Sequence, residues 1–158
     1  MIQYGMPILI ENRTMKENVD LCHRLGLGFI ELNMNFTECQ LDVLEQADDL
    51  IRLGEQAGLF YTIHLDENLD IADFNPLVAR AYLETVRRTV KTAQKLVGLK
   101  DRYGDRNRPL IINMHMNHGI HTILPDRKVQ MYERDFAAYM KAFVHFRERC
   151  EEWIAAVM

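Results

Sequence analysis

The chain has 158 residues, 48% of them hydrophobic and 27% charged, with a formal net charge of −4. That balance fits a globular protein with a core of its own, carries no electrostatic footprint for nucleic acid, and includes no apolar run near the roughly 20 residues that span a bilayer. Cys22, Cys39 and Cys150 are odd in number and lack a C-x-x-C spacing, and no signal-peptide pattern opens the chain, so reduced thiols and a cytoplasmic protein are expected, with neither nucleic acid nor membrane as partner.

Short β-type runs alternate with longer helical runs four times. The first strand is predicted over residues 6–10. Thr14 follows as a helix cap with Glu17 three residues on, Met15, Val19 and Cys22 form the apolar stripe, and Gly26 ends the helix. The second strand is predicted over 29–34. Its helix starts near Asp42, with Glu45 as capping-box partner and Leu44, Ile51 and Ala57 near one face, and it stops at Gly58. The third strand is predicted over 60–65. Asn75-Pro76 then supplies a cap and a first-turn proline. Helical spacing of Val78, Tyr82, Thr85, Thr89, Ala93 and Leu96 runs to Gly98, and 100–108 is expected as a charged loop. The fourth strand is predicted over 110–116, followed by a longer loop to Pro125-Asp126. The last helix carries an aromatic stripe through Tyr132, Phe136, Tyr139, Phe143, Phe146 and Trp153, expected to be core.

Alternation of this kind means a parallel sheet with right-handed crossovers. No G-x-G-x-x-G or P-loop follows the first strand, which turns the reading away from a doubly wound nucleotide-binding fold. The expected fold class is α/β: a (β/α)-repeat parallel sheet of four units, the first half of a TIM barrel, in one domain over 1–158.

Strand side chains alternate between two faces. Ile30, Leu32 and Met34 oppose Glu31, Asn33 and Asn35. Tyr61, Ile63 and Leu65 oppose Thr62, His64 and Asp66. Ile112, Met114 and Met116 oppose Asn113, His115 and Asn117. One face is thus apolar, and the other turns polar toward the C-terminal strand ends, where barrels place their active sites. Neutral imidazole ligates zinc, manganese or iron, so His64 and His115 form a candidate metal pair. Glu31, Asn33, Asp66, Asn113, Asn117 and His118 are candidates for holding a substrate. A lone strand-end histidine is more often structural, and His23 and His145, on helices, read as structural or surface residues.

At Phe29-Ile30-Glu31-Leu32-Asn33, Tyr61-Thr62-Ile63-His64-Leu65-Asp66 and Asn113-Met114-His115-Met116-Asn117-His118-Gly119, the chain resembles the xylose-isomerase-like TIM-barrel superfamily, the sugar phosphate isomerases and epimerases together with apurinic endonucleases. The resemblance implies a divalent metal (Mn, Zn, Co or Mg) acting as a Lewis acid, carboxylates acting as general acid and base, and a sugar or sugar-phosphate substrate. In the endonuclease branch, histidine ligands come from the third and fourth strands, and His64 and His115 match those positions. The metal-binding and proton-transferring carboxylates of the family come mainly from strands five to eight, so an incomplete catalytic site is expected. An open four-stranded parallel sheet leaves two edges unpaired, and a homo-oligomer through those edges is expected. Three functions follow: a sugar isomerase/epimerase, an apurinic endonuclease-like hydrolase, and a non-catalytic half-barrel that self-associates.

Overall fold

The computed structural model describes residues 2–40, 44, 47–71, 73, 75–115, 121–130, 136–137, 140–141, 144–145 and 147–148. The backbone gathers into two compact units, one comprising Met1–Asp66 with Lys91–Met114 and the other Glu67–Val90 with His115–Met158.

The first unit holds a four-stranded sheet in the order β1-β2-β3-β4, all parallel: β1 Gly5–Pro7, β2 Phe29–Asn33, β3 Phe60–His64 and β4 Ile112–Asn113. Helix α1 (Met15–Arg24) links β1 to β2, and α2 (Ala47–Ala57) links β2 to β3. This is the expected fold class: β/α units on a parallel sheet, matching half of a TIM barrel.

Local chemistry sets the helix ends. Thr14 Oγ1 accepts from the Glu17 amide at 3.2 Å, and Glu17 returns a bond to the Arg13 amide at 2.7 Å. At the other end Gly26 takes φ +68, so that the Gly26 and Leu27 amides close on the carbonyls of His23 and Cys22. Gly58 ends α2 with φ +69 in the same region of backbone space. The capping pair read at Asp42 and Glu45 lies outside the described residues. The buried face of α2 is Ala47, Leu50, Leu53 and Gly54, while Ile51 and Ala57 are half-buried, so the face is rotated from the one expected. Gly54 explains the rotation. A Cβ there would stand 2.8 Å from Leu99 Cδ1 and 3.2 Å from the Tyr61 ring, so α2 turns its glycine to its closest neighbours.

Helix α3 (Pro76–Tyr103) is 28 residues long and does not stop at Gly98. Asn75 Oδ1 caps it on the Leu77 amide at 3.0 Å, as read from the sequence. The apolar period continues through buried Leu96 and Leu99, and that packing outweighs the roughly 1 kcal/mol a helical glycine costs. Lys100, expected in a loop, is a buried residue of the last turn. Its ammonium pairs with Asp101 at 2.7 Å and donates to the carbonyls of Asp105 (3.2 Å) and Arg108, which ties down the chain leading into β4.

The first strand ends earlier than predicted because Leu9 donates its amide to the Asn18 side chain rather than to a ladder. The fourth is described as strand only at Ile112–Asn113; residues 116–120 lie outside the described set.

In the second unit, the expected loop before Pro125-Asp126 is instead a hairpin, β5 (His121–Ile123) against β6 (Lys128–Gln130), with Leu124 donating to Arg127 at 2.8 Å across that two-residue turn. Proline presets φ for the turn, and Val129 and Ile123 favour extended backbone. Phe136 is helical but 53% exposed, which corrects its assignment to the core; the other aromatic residues of that stripe lie outside the described residues. Among the described residues no helix is long and apolar enough to cross a membrane.

Candidate functional site

Register settles which strand residues share a face in the first unit. Ile30 pairs with Tyr61, and Leu32 with Ile63, which pairs with Ile112. Ile30, Leu32, Tyr61 and Ile63 are buried, and Tyr61 touches the position of Gly54 on α2, so this is the helix-covered face. Helix α1 joins α2 there through a 2.9 Å bond between His23 Nδ1 and the Ala57 carbonyl, a structural role of the kind read for His23.

The opposite face is built in rows. Its N-terminal row is apolar: Gly5, Phe29 and Phe60 are in register, and the two rings stack at 5.3 Å between centroids. A Cβ on Gly5 would lie 2.4 Å from the Phe29 ring, so only glycine fits beneath it. The next row is Pro7, Glu31 and Thr62, and the last is Asn33, His64 and Asn113. Rows two residues apart along a strand are separated by about 7 Å. The face thus grades from packed rings to polar groups along one direction of the sheet.

Glu31 and Asn113 meet across it. Asn113 Nδ2 donates to Glu31 Oε2 at 2.5 Å, joining residues 82 apart in sequence. Because β3 lies between β2 and β4, this bond bridges over β3 between the Thr62 and His64 rows. Thr62 is only 4% exposed, and its hydroxyl has no hydrogen-bond partner among the described residues. Asn33 Oδ1 accepts from the Asn35 amide at 2.9 Å, which fixes the turn leaving β2. Asp66, half-buried, lies two residues beyond β3.

Of the predicted site residues, the structure brings Glu31 and Asn113 into contact and sets Asn33 and His64 in register beside Asn113. His115 belongs to the second unit and His64 to the first, so the histidine pair is a feature of neither unit. Asn117 and His118 lie outside the described residues. Two contributors escaped the sequence reading. Thr62 was placed on this face without a role. Asn18, fully buried, accepts from the Leu9 amide and from Asn12 Nδ2 at 2.9 Å each and donates to the Thr14 carbonyl at 3.3 Å, clamping the turn after β1. The helical spacing of Asn18 beside Val19 and Cys22 was the available signal for its burial.

Burial works against thiolate formation at the two described cysteines. Cys39 is buried in the turn after β2, and burial pushes its thiol up to about 12, partly offset by a backbone hydrogen bond at Asn33. Burial also raises Cys22 and the Tyr61 phenol on the helix-covered face. Among the described residues no group of three or more His, Cys, Asp or Glu could hold a metal ion. The donors in the three strand rows are one carboxylate already bonded to an amide, one imidazole and neutral side chains, and they do not make a metal site by themselves.

No family model matches the sequence, and no curated protein matches it. Among solved structures the chain is similar to D-psicose 3-epimerase from Clostridium cellulolyticum H10, crystallised with D-tagatose. The likeness covers 96% of this chain and 50% of that one, with a TM-score of 0.60 and 11% identity. The chain therefore spans about half the length of the epimerase it matches. At that identity the likeness shows the fold alone: the β/α arrangement of a TIM barrel over half of its circuit.

Proposed function

We propose that this chain is the sugar-holding half of a carbohydrate isomerase or epimerase of the barrel type. The observation that supports the reading is the Glu31–Asn113 bond, which gathers a carboxylate and an amide over β3 at the C-terminal ends of the strands, the end where barrels work. Carboxylate and amide groups converging on one face suit a polyhydroxy ligand: the carboxylate accepts from hydroxyls, and the amide both donates and accepts. The solved structure of like fold is an epimerase crystallised with D-tagatose, which supports a sugar as the kind of ligand. Glu31, Asn33, His64 and Asn113 bind and orient the sugar. A closed barrel needs four more β/α units than this sheet has, and the groups that move protons are assigned to that other half.

A divalent metal completes this reading only with ligands outside the described residues.

The test is a titration of the 158-residue chain with D-tagatose followed by amide chemical shifts. We expect saturable shifts at Asn33, His64 and Asn113, weakened about tenfold in Glu31→Gln, as for loss of a charged hydrogen bond. Shifts that are absent, or that fall elsewhere on the chain, discard the reading.

A second reading, self-association, is favoured by where large apolar residues are exposed. Ile2 (78%) and Tyr4 (69%) flank β1, and Ile111 (54%) flanks β4, the two end strands of the sheet. The edges differ. In β1, Pro7 has no amide proton to offer and Leu9 has given its own to Asn18, so strand addition is blunted there. Association is therefore assigned to the β4 edge.

A further inference from the structure

The four-stranded sheet has two end strands, and only one of them is guarded against pairing. In a parallel ladder, residues that bond to a neighbouring strand alternate with residues whose amide and carbonyl face away from it. On β1 the Tyr4 carbonyl and the Ile8 amide bond to β2, so Gly5, Pro7 and Leu9 face outward. Pro7 has no amide proton, and Leu9 gives its own to Asn18. On β4 the Ile111 carbonyl accepts from the Ile63 amide at 3.1 Å and the Asn113 carbonyl from the Leu65 amide at 2.9 Å. Ile112, between them, therefore turns its amide and carbonyl outward. Residues 110–114, Leu-Ile-Ile-Asn-Met, include neither a charge nor a proline to blunt this edge, and Ile111 is 54% exposed on it.

We propose that β4 pairs antiparallel with β4 of a second copy of this chain about a two-fold axis at Ile112, which brings Ile111 of the second copy onto the polar face beside Asn113. This rests on the self-association reading and names its partner strand, direction and register. The β1 edge of a second copy is a poor match, because it lacks two of the three outward amides that a parallel ladder draws on, those of Pro7 and Leu9. Parallel pairing of two β4 edges needs a two-fold axis along the strands, which sets the polar face of one sheet on the helix side of the other. Antiparallel pairing has its axis perpendicular to the sheet, so the helices stay on one side and the polar rows on the other. The residues suit that register. Ile112 meets Ile112, and the two exchange both backbone bonds. Leu110 comes opposite Met114 on the helix-covered side, apolar against apolar. Ile111 comes opposite Asn113, so each Glu31–Asn113 bridge gains an apolar neighbour that its own copy does not supply.

Sedimentation and amide hydrogen exchange of the 158-residue chain over about a hundredfold range of concentration test the proposal. The Ile112 amide is expected to exchange at least about fivefold more slowly as the dimer fills, while the Gly5 amide, on the other end strand, does not change. Ile112→Pro removes the amide that both central bonds need and leaves the bonds to β3, and is expected to be monomeric. Ile112→Val keeps the amide and dimerises as the parent does. Ile111→Lys places like charges across the seam and weakens dimerisation by about fivefold or more. A dimer that survives Ile112→Pro, or whose Ile112 exchange is indifferent to concentration, overturns the pairing while self-association stands. A chain still monomeric at about 1 mM overturns the pairing and the self-association reading together, and leaves the sugar-holding reading as it was. Circular dichroism matching the parent ties loss of the dimer to the edge; if Ile112→Pro does not fold, unchanged dimerisation of folded Ile111→Lys overturns the pairing, and weakened dimerisation supports it.

Discussion

The two faces of the four-stranded sheet are cut from the same strands and do different work. On the helix-covered face Ile30, Leu32, Tyr61 and Ile63 are buried one beside another, and Gly54 lets α2 come close enough to seal them. Each residue there is replaceable only by something of similar shape, because a packed interior transmits any change in volume. On the opposite face only the N-terminal row of Gly5, Phe29 and Phe60 is packed in that way. Beyond it Glu31 and Asn113 are bonded across the sheet, while Thr62 is buried with no partner for its hydroxyl among the described residues. The difference teaches where the molecule keeps its stability and where it can spend side chains on recognition: burial decides the first, hydrogen-bond geometry the second.

Three substitutions sharpen or break that contrast. The largest effect is expected for Ile63→Ala on the helix-covered face, a loss of about 2–5 kcal/mol in urea unfolding from lost transfer and a residual cavity. A loss below about 1 kcal/mol would mean that this face is not the core. Next is Lys100→Met, which keeps the buried stem and removes the ammonium from Asp101 and from the carbonyls of Asp105 and Arg108. The expected cost is about 1–3 kcal/mol, mainly from the two carbonyls, because the Asp101 carboxylate is partly exposed and its share is screened. Faster amide exchange over residues 105–108 should accompany it, and unchanged exchange there would show that the lysine does not hold the approach to β4. The smallest effect on stability belongs to Asn113→Ala, about 1 kcal/mol or less, while the sugar-induced shifts at Asn33 and His64 are lost. A destabilisation as large as that of Ile63→Ala would reassign the Glu31–Asn113 bond to holding the sheet together.

Much of the first unit was legible because its signals are local. Thr14 with Glu17, Gly26, Gly58 and Asn75-Pro76 each act within one turn of chain, and each stands where it was read. The alternation in 29–33 and 60–64 sorted Glu31, Asn33, Thr62 and His64 onto one face, because the strand period of two leaves no other choice. Legibility failed where a distant neighbour outweighed a local preference. Gly98 reads as a stop, but Leu99 and Lys100 have partners elsewhere that carry α3 to Tyr103. The hairpin over 121–130 was missed, its first arm read as part of the loop to Pro125-Asp126, because each arm is only three residues long, too short to show a period. The site was half-legible in the same sense: its residue types and face could be listed, but not which of them touch.

The amino-acid sequence by itself determined the order of β and α units in the first unit, both ends of α1, the end of α2, the start of α3 and the division of β2 and β3 into an apolar and a polar face. These depend on dihedral preference, capping and period, which act over a few residues. Only the tertiary structure decided that β4 lies beside β3 in the register that lets Asn113 reach Glu31, that Asn18 takes the Leu9 amide and ends β1, and that Thr62 is buried with no hydroxyl partner among the described residues. Those outcomes depend on contacts between residues up to 82 apart in sequence, whose free energy exists only once the sheet has closed around them.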